Sequence, residues 1–178
     1  YNGDMGDFWS LSKHNKRRYE ILENMSLQDE IDITIEVQDK LSSRAKKVKR
    51  HNIDGNHEER WDTFLGSGPQ SVLGPLKSLQ IHEIMKYKER GFSSYHPYGE
   101  GSLITDNLYC YHGKYIGSSA GESVKKEIQA IGASIIMNHT HRRADVLFKQ
   151  GKSIHRGIEN GCLCQIRAGW QPMTNWTH

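Results

Sequence analysis

Apolar residues recur at helical spacing in the first half of the chain and in short alternating runs in the second. Ile33, Val37, Leu41, Ala45 and Val48 fall three or four residues apart, which places them on one helical face, and Ile31 and Ile35 widen it. The β-branched content here also suits a strand, but spacing and length favour a helix. Ser26 opens that helix, with Asp29 three residues on as its capping-box partner. Ahead of it, residues 13–25 read as a polar helix, and Tyr1-Asn2-Gly3-Asp4 as the last step of a strand entering a loop. Residues 46–53 lead through a short strand into Asp54-Gly55-Asn56-His57-Glu58. A short helix over Glu59–Leu65 follows, then a loop over 66–74 by its Gly, Ser and Pro content. Leu76, Leu79 and Ile84 suggest another helix ending near Gly91.

Beyond Phe92 the period shortens. Residues 92–95, 102–105 and 108–111 read as strands separated by Gly, Pro and Asp-Asn turns, and His112-Gly113 closes the third. A helix is expected after Ser119, with Glu122 completing a second capping box, Ala120, Val124, Ile128 and Ile131 as its apolar face and Gly132 as its stop. Residues 133–137 form a buried type of strand running into Asn138-His139-Thr140-His141. Residues 142–148 and 153–158 pair as a hairpin around Gln150-Gly151-Lys152, and 161–166 add another strand. Strand–helix alternation followed by a strand-rich half indicates a layered α/β protein.

At 178 residues the chain suits a single domain, 1–178. Its 24 Lys+Arg against 21 Asp+Glu is compatible with an anionic substrate without requiring one. No apolar run approaches 18 residues, so no membrane partner is expected, and no secretory signal is visible. Cys110, Cys162 and Cys164 lack metal-finger spacing. They read as small strand residues in a reducing, cytoplasmic setting, with a Cys-x-Cys redox or metal pair as the alternative.

The histidines carry more. Gly3-Asp4, Gly55-Asn56-His57-Glu58, His112-Gly113 and Asn138-His139-Thr140-His141 each lie where a strand gives way to a loop, the edge at which α/β proteins collect ligands. Carboxylate, amide oxygen and imidazole suit Mn, Fe, Zn or Mg and not a thiolate site. His139 and His141, two apart, point the same way if the backbone is extended.

With these residues in this order, the chain resembles the calcineurin-like metallophosphoesterase superfamily. Its ordered signature is Asp-x-His, Gly-Asp-x-x-Asp, Gly-Asn-His-Asp/Glu, His-Gly and Gly-His-x-His. Gly3-Asp4-Met5-Gly6-Asp7 matches the second element, Gly55-Asn56-His57-Glu58 the third, His112-Gly113 the fourth, and Asn138-His139-Thr140-His141 the fifth, with Asn in place of Gly. Gly161-Cys162-Leu163-Cys164 followed by Asn175-Trp176 is similar to phage and prokaryotic phosphoesterases of the superfamily. The resemblance implies a layered αββα sandwich, two mixed β-sheets flanked by helices, with a metal site at strand-end loops. It implies two divalent metal ions, manganese first, bridged by Asp4. Asn56, His112 and His139 would complete one metal and His141 would serve the other. His57 would be the catalytic imidazole, oriented by Asp7 or Glu58, and a metal-bound hydroxide would attack a phosphoester.

The Asp-x-His element is absent from the 178 residues, so a natural protein extending beyond this N-terminus is expected, with an extension beyond the C-terminus as a further expectation. Arg142 and Arg143 follow His141 and are candidate substrate-binding cations. Arg44, Lys46, Lys47, Lys49, Arg50 and His51 form a basic run, read as a solvated helix end or as a phosphate-backbone track. Trp9, Trp61, Trp170 and Trp176 read as packing residues before base-stacking ones. The functional readings are therefore a phosphoester hydrolase, a nucleic-acid-directed phosphodiesterase of the same fold, and a non-catalytic binding module. The oligomeric state is left open. Gly117-Ser118-Ser119-Ala120-Gly121 has the Gly-x-Ser-x-Gly spacing of a serine-hydrolase elbow, but Ser118-Ser119 is read as the cap of the following helix, so that reading is set aside.

Overall fold

The computed structural model describes residues 1–13, 25–44 and 47–163. The polar helix expected over 13–25 falls almost wholly outside the described residues. So do Ala45, Lys46 and the chain from Cys164 to His178, which includes Trp170 and Trp176. The described chain is mixed α/β with two sheets and divides into two compact units, Tyr1 with Gly3–Tyr98, and Asn2 with the chain from Gly99 onward.

In the first unit, α1 (Leu27–Ser43) begins as expected. Ser26 Oγ accepts from Asp29 N at 3.1 Å, and the Asp29 carboxylate accepts from Ser26 N at 2.8 Å. Its buried face is not the expected one. Ile31, Thr34, Gln38 and Ser42 face inward, while Ile33, Val37 and Leu41 are 47%, 41% and 44% exposed. The cause is a polar lock. The Tyr1 hydroxyl donates to Gln38 O at 2.7 Å and shares a hydrogen bond with Ser42 Oγ. Arg90 donates to Gln38 Oε1, Ile35 O, Met85 O and the Asp39 carboxylate while lying over the Phe92 ring. Apolar periodicity does not register a face held by hydrogen bonds.

β1 (His51–Ile53) and β2 (Ser94–His96) form a two-stranded parallel sheet, so this sheet is not mixed. Tyr1 N donates to His51 O and Tyr1 O accepts from Ile53 N, which continues that sheet as the opening residues suggest. α2 spans Glu59–Leu65, as expected. Residues 66–74 hold a 3₁₀ turn, Gly68–Leu73, instead of an open loop. The single helix expected from Leu76 to Gly91 is broken into a 3₁₀ turn (Lys77–Leu79) and α3 (Ile81–Ile84). Gln80 between them is extended, its side chain donating to Gly74 O. Phe8, Ile31, Trp61, Leu65, Met85 and Tyr87 anchor the core, with the Trp61 indole donating to Leu79 O.

The second unit is a five-stranded mixed sheet in the order β3-β4-β5-β7-β6: β3 (Gly101–Thr105), β4 (Leu108–Tyr111), β5 (Ser134–Met137), β6 (Arg143–Gln150) and β7 (Ser153–Asn160). β4, β5 and β7 run parallel, while β3 and β6 are antiparallel edges. The expected β6–β7 hairpin forms. Residues 161–163 are not strand. α4 (Glu122–Ile131) links β4 to β5. Its N-cap is Gly121 and not Ser119, because the Glu122 carboxylate accepts from Ser118 N, Ser118 Oγ and Ser119 N. Val124 and Ile128 are fully buried, while Ala120 and Ile131 are exposed. A Cβ at Gly157 of β7 would stand 2.7 Å from Val124 Cγ2 and 2.9 Å from Ile128 Cδ1, so the glycine sets how closely α4 approaches the sheet. Cys110 and Cys162 are free and partly buried, and burial pushes the Cys110 thiol up. Among the described residues no helix is long and apolar enough to cross a membrane.

The corrected face of α1 is testable by urea denaturation. Ile31→Ala should cost about 2–5 kcal/mol and Ile33→Ser no more than about 0.5 kcal/mol. Equal losses would restore the face read from spacing.

Candidate metal centre

In the first unit the Gly-Asp and Gly-Asn-His-Glu elements are brought together by one side chain. Glu58, 3% exposed, accepts at Oε2 from Asp4 N (2.9 Å) and Gly55 N (2.8 Å), and at Oε1 from Met5 N (2.8 Å) and Gly6 N (3.0 Å). Gly3 and Asp4 both take positive φ, 72° and 49°, so this loop turns its amides inward and needs an acceptor there. Charge-assisted hydrogen bonds from four amides make that acceptor strong.

The same loop pairs Asp4 and Asp7 with His57. His57 N donates to Asp4 Oδ1 at 3.1 Å, and His57 Nδ1 lies 3.0 Å from Asp7 Oδ1. Burial would push the Asp7 carboxyl up. The hydrogen bond and charge of His57 and the Arg60 guanidinium outweigh it and hold the group below the usual 3.8. Of the two carboxylates expected to orient His57, Asp7 is the one that meets its ring nitrogen, while Glu58 holds the loop. Asn56 is partly buried between them in sequence. Asp54, absent from the expected set, is buried, with Asn52 Nδ2 donating to its Oδ1 at 2.7 Å. Beside Asp54 and Glu58, the buried Tyr87 hydroxyl is pushed well above its usual 10.0, chiefly by burial.

In the second unit His112 and His139 meet. His112 is fully buried at the end of β4. Its Nδ1 faces Asn2 O at 3.2 Å, and its Nε2 lies 3.3 Å from His139 Nδ1. A main-chain carbonyl can only accept, so Nδ1 of His112 carries a proton, which in the neutral imidazole leaves the lone pair on Nε2. Two nitrogens sharing one metal at ~2.1 Å stand ~3.0–3.4 Å apart at octahedral to tetrahedral angles, and the pair at 3.3 Å fits that spacing. A ligand imidazole whose other N–H is held by a carbonyl is the usual metal arrangement. The donor set therefore fits a borderline divalent cation.

Several residues that sequence reasoning did not single out build this pair. Asn2 Nδ2 donates to Tyr111 O and Ile136 O, spanning the C-terminal ends of β4 and β5, and Asn138 Nδ2 donates to Asn2 O at 2.9 Å. Asn2 Oδ1 and Asn138 Oδ1 are buried without a hydrogen-bond partner among the described residues. Gly113, at φ 106°, would bring a Cβ to 2.5 Å from Met137 and 3.0 Å from His139, which explains the glycine after His112. The buried Glu127 of α4 accepts from Lys114 N and Tyr115 N. Glu159 of β7 accepts from Val124 N in the first turn of α4 and from Thr140 Oγ1. The one available signal was phase, since Glu127 shares the inward face of Val124 and Ile128, and Glu159 the inward face of Gly157.

Residues 138–141 are not extended as expected. His141 N donates to Asn138 O at 3.0 Å, closing a turn, and His141 has φ 57°, so the two-apart spacing of His139 and His141 does not align them as in a strand. Arg142 Nη1 donates to Gly117 O at 2.8 Å, and Arg143 is exposed at the start of β6. In the basic run, Arg50 donates to Arg90 O and His51 Nδ1 meets Ser94 Oγ, while Lys47 and Lys49 are exposed.

Comparisons with protein families, with curated proteins and with solved structures return no match.

Glu58→Gln offers one acceptor and one donor where four amides need acceptors. It should cost about 2–5 kcal/mol in chemical denaturation and speed hydrogen exchange at Met5, Gly6 and Gly55. Unchanged exchange at those amides would contradict the clamp.

Proposed function

We propose that this chain is a metal-dependent phosphoester hydrolase of the calcineurin-like metallophosphoesterase kind. The observation that carries the reading is the His112–His139 pair, with one lone pair fixed toward the other ring by Asn2 O. Asp4 follows Asn2 by two residues in the chain. On this proposal Asp4, His112 and His139 offer one carboxylate oxygen and two imidazole nitrogens to a single divalent cation, with Asn56 completing its shell. His141, with Asp4 again, would serve a second cation. Manganese is the first choice, and the αββα layering belongs to the same proposal. A cation bound there supplies Lewis acidity to a phosphoryl oxygen. The rest falls to the chain itself. Asp7 holds His57 by Nδ1, so His57 Nε2 faces the leaving oxygen and delivers a proton to it. Arg142 and Arg143 lend positive charge beside the anionic substrate. A nucleic-acid substrate would add salt-sensitive binding through Lys47 and Lys49.

Calorimetric Mn²⁺ titration and hydrolysis of bis-p-nitrophenyl phosphate test this together. His139→Ala and Asp4→Asn should each weaken Mn²⁺ binding at least tenfold. His57→Ala should keep the metal and lose about 10²–10⁴ in rate. Mn²⁺ binding indifferent to His139→Ala, or hydrolysis indifferent to His57→Ala, would overturn the proposal.

A further inference from the structure

β6 ends the five-stranded sheet. All eight of its residues pair with β7 in unbroken register, from Arg143↔Asn160 to Gln150↔Ser153. Among the described residues no strand covers its other edge, which presents a run of main-chain groups with no proline and no bulge, the template to which another strand adds. Protected edges usually carry several charges of one sign or a break. This one carries Arg143, Asp145, Leu147 and Lys149 on one face, charges of both signs around a Leu147 that is 73% exposed.

We propose that a second copy of this chain docks here, β6 against β6 and antiparallel about a two-fold axis through Leu147. A two-fold perpendicular to the sheet keeps each residue's face, so only registers that pair odd with odd positions are allowed. Centring on Val146 would set Arg143 against Lys149 of the second copy. Centring on Asp145 would set that carboxylate against itself. Centring on Leu147 sets Asp145 opposite Lys149 of the second copy, and by symmetry Lys149 opposite its Asp145. Leu147 then meets its own copy between the two ion pairs, and Arg143 faces the neutral Gly151. On the other face Val146 and Phe148, both partly buried against the core below α4, meet Phe148 and Val146 of the second copy. Arg156 of β7 already engages Asp145 from within the sheet, its Nε donating to Oδ1 at 2.9 Å and its Nη2 to Oδ2, so the lysine of the second copy would join an existing ion pair. Cross-strand apolar and opposite-charge pairs each contribute modestly, and the added main-chain ladder supplies continuity. The inference does not rest on the metal reading.

Sedimentation equilibrium of the full chain across about 1–200 μM should show a monomer–dimer equilibrium. Leu147→Lys and Lys149→Asp, both at exposed positions and checked for folding by circular dichroism, should each raise the dissociation constant at least tenfold. Under mild oxidant Leu147→Cys should give a covalent dimer beyond the wild-type background, while Ile154→Cys on β7, 68% exposed, should not. A monomer throughout that range would overturn the proposal, as would a dimer untouched by both substitutions or a cross-link equally strong from position 154.

Discussion

The acceptance of four main-chain N–H groups by the buried Glu58 carboxylate is the constraint on which the first unit's chemistry depends. Residues 3–6 and 55–58 lie outside helix and strand ladders, so their amides have no regular partners and cannot be buried without acceptors. One charged side chain meets that need and thereby fixes where Asp4 and His57 stand. With Glu58 spent on the backbone, Asp7 is left to hold the His57 ring, assisted by Arg60. Separating the two jobs between two carboxylates lets the loop be rigid while the imidazole keeps a partly solvated partner.

The second unit solves the same problem with the same chemistry. Glu127 accepts from the amides that follow His112-Gly113, and Glu159 ties Thr140 to the first turn of α4. Asn2 adds an amide that spans the ends of β4 and β5, and its carbonyl sets the tautomer of His112. The loops that bear candidate ligands are thus anchored by buried acids and an amide, most of them drawn from another part of the chain. Pre-arrangement of this kind puts the ordering cost into folding, before any ligand arrives.

Local signals in the sequence located most elements. The Ser26–Asp29 capping box, the Glu59–Leu65 helix, the β6–β7 hairpin and the Gly132 stop are all present, because each depends on neighbours within a few residues. The inward face of α1 was misread, since Gln38 and Ser42 are held by bonds to Tyr1, Arg90 and Asn52 from other parts of the chain, and Thr34 satisfies its buried hydroxyl on Glu30 O of its own helix. The candidate site shows the same division. The family resemblance set His57 with Asp7 or Glu58, and His112 with His139, and in each case the structure brings such a pair together. Order and spacing did not reveal the roles of Glu58, Asn2, Glu127 and Glu159, because accepting a distant amide leaves no periodicity, and they misjudged Asn138–His141, where a turn replaces extended chain.

The central claim is that His112 and His139 are set to share a metal before one binds. Long-range proton–nitrogen correlation spectra of histidine-labelled, metal-free protein test it most directly, followed by titration with diamagnetic Zn²⁺. The account predicts His112 wholly as the Nδ1–H tautomer, with His112 Nε2 and His139 Nδ1 shifting together as zinc is added. A His112 protonated at Nε2, or zinc shifts confined to other histidines, would contradict it.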